Sequence, residues 1–149
     1  MEMMKKYDTY LVPTIIAGKT VADSAKIKGY YHPLIVPKAI ETGALIQKAF
    51  ERAYKAGVKI AFGTDAGVFP HGYNAKEFIY MNEVGMPMTE CLKIATVGNA
   101  EILGMTDQLG TIEKGKLADI IAVTGNPLTN PEVLMKTTFV MKDGVVYKK

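Results

Sequence analysis

"KAGVKIAFGTDAGVFPHG" (residues 55–72) runs from a helix end, through an apolar stretch, to an aspartate flanked by glycines. Gly57 stands where a left-handed cap would close a helix. Val58, Ile60, Ala61 and Phe62 then give near-continuous apolarity, the mark of a strand covered on both faces, as in parallel sheets. Asp65 follows between Gly63 and Gly67, and His71 comes six residues later. In α/β sheets and barrels the carboxyl ends of strands open into loops that converge on ligands. This stretch therefore predicts an α/β fold with a carboxylate at the chemically useful end of a strand.

Upstream, "KAIETGALIQKAFERAYKAG" places Leu45, Ile46, Ala49, Phe50, Ala53 and Tyr54 at helical spacing, with Lys48, Glu51, Arg52 and Lys55 opposite. "TYLVPT" (9–14) is a short run of β-formers stopped by Pro13, a second buried strand. Residues 17–37 contain four glycine or proline breaks and no firm period, and read as a long, partly helical loop. Strand, loop and helix, then strand make a βαβ unit, whose crossover is right-handed. Downstream, "NAKEFIYMNEVG" and "MTECLKIATVGNAEILG" read as two further helices. The second puts Leu92, Ala95, Asn99 and Ile102 or Leu103 on one side, with either Thr89 or Pro87 at its start.

The texture changes after residue 105. One strand, Leu117–Val123, lies among Gly110, Gly115 and Gly125. Asp143-Gly144 between "FVMK" and "VVYKK" is a hairpin signal, since both turn positions need positive φ. The expected organisation is an α/β body over 1–105 and a small β-unit over 106–149.

Composition narrows the function. Apolar residues make up 48% and charged residues 22%, a globular balance. The net charge is +3, with no basic stripe interleaved with aromatics, so nucleic-acid binding is not expected. No run of eighteen apolar residues predicts a membrane helix, and no signal peptide is visible at the start. A cytoplasmic location is the default expectation. Cys91, the single cysteine, sits in a helical context and is expected to be a buried structural thiol. Serine-nucleophile elbows and phosphate-cradling glycine loops are absent from the sequence.

Asp65 has two readings on spacing alone. It can bind a divalent metal and accept a proton from water, or it can be a turn or helix-capping aspartate. His71 can face the same site or be a solvated loop histidine, and His32 in "GYYHPL" has the weaker claim. Two histidines and one aspartate on distant loops would barely fill a catalytic zinc site.

The order of segments adds what no single motif does. "GVKIAFGTDAG...PHG.NA.E" (57–77), "GM...ECLKIAT..NAEILG" (85–104), "GTIEKGKLADIIAV.GNPL" (110–128) and "VMKDGVVYK" (140–148) together resemble the C-terminal part of the amidohydrolase superfamily. Its imidazolonepropionase-like and Xaa-Pro dipeptidase-like metal-dependent hydrolases are the nearest branch. The resemblance implies the last two strand-helix units of a (β/α)8 barrel, with 9–14 and 58–65 as its seventh and eighth strands. It implies that residues 106–149 are the C-terminal strands of a small β-sandwich. It makes Asp65 the last metal-site residue, both metal ligand and proton relay, and sets His71 at the mouth, touching substrate. The implied cofactor is a divalent metal, with zinc the expected ion, and the implied substrate is a cyclic amide, a dipeptide or an acyl-amino acid.

The chain departs from that pattern in one large respect. The family's His-x-His pair, its lysine or glutamate and two further histidines have no counterparts here, and Lys5 and Lys19 lie on no matching strand. A whole barrel takes about 250 residues. The isolated chain is therefore expected to bind no metal tightly and to have little activity alone. It is also expected to self-associate or to pair with a complementing N-terminal chain. The other readings are a truncated, non-catalytic homologue serving as an interaction or oligomerisation module, and an unrelated small α/β binding domain.

Overall fold

The computed structural model describes residues 1–149. In chain order it contains α1 (Glu2–Lys6), β1 (Tyr10–Leu11), α2 (Ile15–Ala25), α3 (Val36–Lys55), β2 (Lys59–Ile60) and α4 (Lys76–Glu83). Then come α5 (Met88–Lys93), a π-helical segment (Ile94–Gly98), α6 (Asn99–Ile102), β3 (Ile120–Val123), a 3-10 turn (Pro131–Met135), β4 (Thr137–Lys142) and β5 (Val145–Lys148).

β1 and β2 pair in parallel, with Leu11 opposite Ile60 and Tyr10 opposite Lys59. The Ala61 N–H donates to the Leu11 carbonyl at 2.9 Å, one step beyond the ladder. Both strands are shorter than their apolar runs, because each has only the other as a partner. The βαβ unit is thus present, with α2 and α3 in its crossover. Gly57 has φ 71°, the left-handed cap that ends α3.

Three helical expectations are adjusted. Residues 15–25 form a full helix, so the long, partly helical loop expected over 17–37 is helical through its first half. Ile15, Ile16, Ala17, Gly18, Ala22 and Ala25 are all buried, so α2 is covered on most sides and shows no apolar-polar alternation to read. On α3, Leu45 and Ala49 face outward although they belong to the apolar set, while Phe50 and Ala53 are buried as the spacing implies. The stretch 88–104 is not one regular helix, because the π segment interrupts it.

α2 and α3 approach closely through small residues. A Cβ on Gly43 would stand 2.1 Å from the Ala22 Cβ and 2.9 Å from the Gly18 carbonyl oxygen. The core gathers Ile15, Phe50, Ile60, Met81, Met86, Met88, Cys91 and Leu134, so α2 to α5 and the 3-10 turn share one interior. Cys91 is fully buried, and burial pushes its thiol up to about 12, which makes it inert packing.

β3, β4 and β5 form an antiparallel sheet with β4 in the middle. Asp143 and Gly144 have φ 50° and 74°, as the β4–β5 turn requires. Asp119, at the approach to β3, accepts from the Asp143 N–H at 2.7 Å and pairs with Lys142. That lysine and amide hold the Asp119 carboxyl below its ordinary value. No helix is long and apolar enough to cross a membrane.

Candidate active site

Asp65 lies just past the carboxyl end of β2, where a chain of local contacts fixes the approach. The Phe62 peptide pairs with the Asn99 side chain: its N–H donates to Oδ1 at 3.1 Å and its carbonyl accepts from Nδ2 at 2.8 Å. The Phe62 ring stacks on Phe78 of α4, with centroids 4.2 Å apart. A Cβ on Gly63 would stand 2.5 Å from the Val12 Cγ1, so glycine lets the two parallel segments stay close. The Thr64 hydroxyl accepts from Asn74 Nδ2 at 3.0 Å.

Asp65 itself adopts φ 55°, a left-handed conformation that non-glycine residues seldom take. Its side chain is exposed and enters no hydrogen bond or ion pair with the rest of the chain. The Asp65 carbonyl closes a turn by accepting from the Val68 N–H at 3.3 Å. A capping aspartate would spend its carboxylate on nearby amides. This one does not, and an unpartnered carboxylate on strained backbone at a strand end is free to meet a ligand.

His71 is exposed in the loop that follows. The Asn74 side chain draws the loop's ends together, since it donates to Thr64 and its Oδ1 accepts from the Gly72 N–H at 3.3 Å. No hydrogen bond joins His71 to Asp65. His32 is elsewhere, in the exposed α2–α3 connection, where its Nδ1 accepts from the Leu34 N–H at 3.3 Å, so it serves a local turn. Lys5 lies in α1 and Lys19 in α2, so neither lies on a strand. Lys19 rests its ammonium over the Tyr80 ring at 4.5 Å.

Sequence reasoning missed Glu77. It is completely buried, and its two oxygens accept from the Ile15 and Ile16 N–H groups at 2.9 and 2.8 Å. Those amides are first-turn donors of α2, whose preceding residue, Thr14, is left-handed and gives no side-chain cap. A distant carboxylate does the capping instead. Burial pushes the Glu77 carboxyl up to about 7, opposed by the two amide bonds. Its sequence signals were a charged residue on the apolar side of the α4 pattern and its place at the end of the 57–77 motif.

No three histidine, cysteine, aspartate or glutamate side chains gather into a metal-holding group.

The amidohydrolase family pattern matches residues 3–147. The chain belongs to the amidohydrolase family. It is similar to a crystal structure of a Xaa-Pro dipeptidase with bound methionine, at 49% identity and a TM-score of 0.90. That similarity covers 99% of this chain and 36% of the dipeptidase. Ochratoxinase of Aspergillus niger is 38% identical over 106 residues, covering 68% of this chain and 22% of the enzyme. A 5-methylthioadenosine/S-adenosylhomocysteine deaminase of Caldanaerobacter subterraneus subsp. tengcongensis is 29% identical over 144 residues, covering 85% of this chain and 32% of the deaminase. The amidohydrolase chain thus spans between about a fifth and just over a third of these relatives.

Proposed function

We propose that this chain is the carboxyl-terminal segment of a metal-dependent hydrolase that cleaves an amide-type C–N bond with activated water. Residues 1–105 are assigned to the last two strand-helix units of a barrel, and 106–149 to the closing strands of a small β-sandwich. The observation that carries the reading is Asp65: left-handed, exposed and unpartnered at the end of a parallel strand. The names of the relatives support the bond type, and the dipeptidase similarity favours a dipeptide or acyl-amino acid as substrate.

A divalent metal, zinc in this proposal, would take Asp65 as one ligand and the rest from residues outside this chain. When bound, it supplies the charge that lowers the pKa of water and polarises the scissile carbonyl. Asp65 accepts the proton of the attacking water and passes it to the departing nitrogen. The glycines on either side of Asp65 keep bulk away from its carboxylate. His71, in the loop closed by Asn74, is assigned to substrate contact at the mouth.

Asp65→Asn in the whole protein is expected to lower kcat by at least about a hundredfold, the loss typical of a removed proton-transfer group. Circular dichroism should stay unchanged, and zinc content should fall. Full hydrolysis by a folded Asp65→Asn variant would end the proposal. The alternative, a non-catalytic interaction module, rests on this chain's own histidine, cysteine, aspartate and glutamate side chains forming no group of three. It predicts a whole protein without stoichiometric metal and indifferent to Asp65→Asn.

A further inference from the structure

The direction of Asp65 is set by its backbone, so the groups that grip that backbone matter. The firmest grip is on the Phe62 peptide, three residues upstream. Asn99 both accepts its N–H and donates to its carbonyl, at 3.1 and 2.8 Å. That is the donor–acceptor pair a neighbouring strand would offer, here supplied by one amide side chain. Asn99 follows directly on the π segment Ile94–Gly98. Such segments shift the facing of every side chain after them and concentrate at functional sites.

We propose that Asn99 is a positioning residue for Asp65: by pairing with both polar groups of the Phe62 peptide, it fixes the strand end from which Asp65 is presented. The proposal rests on the reading of Asp65 as the reactive carboxylate. Without Asn99, the Phe62 N–H and carbonyl lose both side-chain partners. The segment from Gly63 onward is then held only by the Phe62–Phe78 stack and the Thr64–Asn74 hydrogen bond, neither of which fixes the Phe62 backbone. The left-handed backbone at Asp65, φ 55°, is costly for aspartate and persists only while its surroundings impose it.

The test uses the whole protein labelled with 13C and 15N in phenylalanine and aspartate, as wild type, Asn99→Ala and Asn99→Asp. In Asn99→Ala, hydrogen exchange at the Phe62 amide is expected to quicken by at least about tenfold relative to core amides of α3. The chemical shifts and three-bond coupling that report positive φ at Asp65 should be lost. Asn99→Asp can still accept the Phe62 N–H, but at neutral pH it turns a charged oxygen toward the carbonyl. In acid its carboxylic proton can be donated to that carbonyl, so the Asp65 signature is expected to return on acidification. If Asn99 were merely stabilising, both variants would melt at a lower temperature and keep the Asp65 signature unchanged; that result would overturn the proposal. So would an Asn99→Asp protein whose Asp65 signature ignores pH. Neither metal nor substrate enters the measurement, so an active Asp65→Asn enzyme would refute the hydrolase reading without touching this result.

Discussion

Glu77 is the carboxyl whose ionisation the fold shifts most strongly. Its oxygens sit at the positive end of α2, yet no water reaches them, and burial pushes the carboxyl from 4.5 to about 7. An acid raised in this way contributes stability that is complete below about pH 4.5 and lost as pH climbs through about 7. Between those values the unfolded chain is ionised and the folded chain still holds its proton. The expected loss across the window is about 3 kcal/mol, at about 1.4 kcal/mol per pH unit. In Glu77→Gln that slope should vanish, because the amide does not titrate. Denaturant titrations at pH 5 and pH 8 on both proteins measure the difference, and an unaltered slope in Glu77→Gln would assign it to other groups. Asp65 presents the opposite situation: an exposed carboxylate with no internal partner, which leaves it available to something outside the chain.

Among the elements, the α2–α3 pair depends on the absence of side chains. Gly43 meets Ala22 and the Gly18 carbonyl at distances no Cβ could share, and a Cβ on Gly18 would meet Ile46 at 2.6 Å. Gly43→Ala should therefore destabilise by about 2 kcal/mol, although alanine favours helix by about 1 kcal/mol. The obstacle is partly backbone, so the helices must separate rather than a side chain rotate. A thermal melt that rises in Gly43→Ala would show that the close approach is not required.

The same helices show what a sequence reveals. α3 was legible from Phe50, Ala53 and its charged face, since a helix half in water must alternate. α2 was legible only as part of a partly helical loop, because its buried surface runs nearly all the way round. The π segment was invisible for another reason: five residues are too few to separate its period from that of the helices beside it. Asp65 stood out through its glycines and its place after an apolar run. Glu77 and Asn99 did not, since their partners lie 61 and 37 residues away in sequence and only the fold brings them together.

For the whole molecule, the decisive fact is the isolation of the β1–β2 pair. Each strand has one edge without a partner strand, and Tyr10 and Val12 beside that ladder are exposed. Leu34 at 84% and Ile112 at 83% exposure add apolar surface on the helical and β-rich sides. The relatives are roughly three to five times longer than the stretches they share with this chain, so their extra length is available to cover such edges. Unpaired parallel edges invite any strand of matching length, including one from a second copy. The isolated chain of 16.3 kDa should therefore sediment as dimers or larger species at about 10 μM. On the proposed reading, co-expression with a chain that supplies the additional length seen in the relatives should replace those species with a single defined complex. Lysine substitutions at Tyr10 and Val12, which place charge along the open edge, should shift the isolated chain toward monomer and weaken that complex together. A wild-type chain that remains monomeric at that concentration would mean the β1–β2 edges are closed without help, and the case for a complementing chain would fail with it.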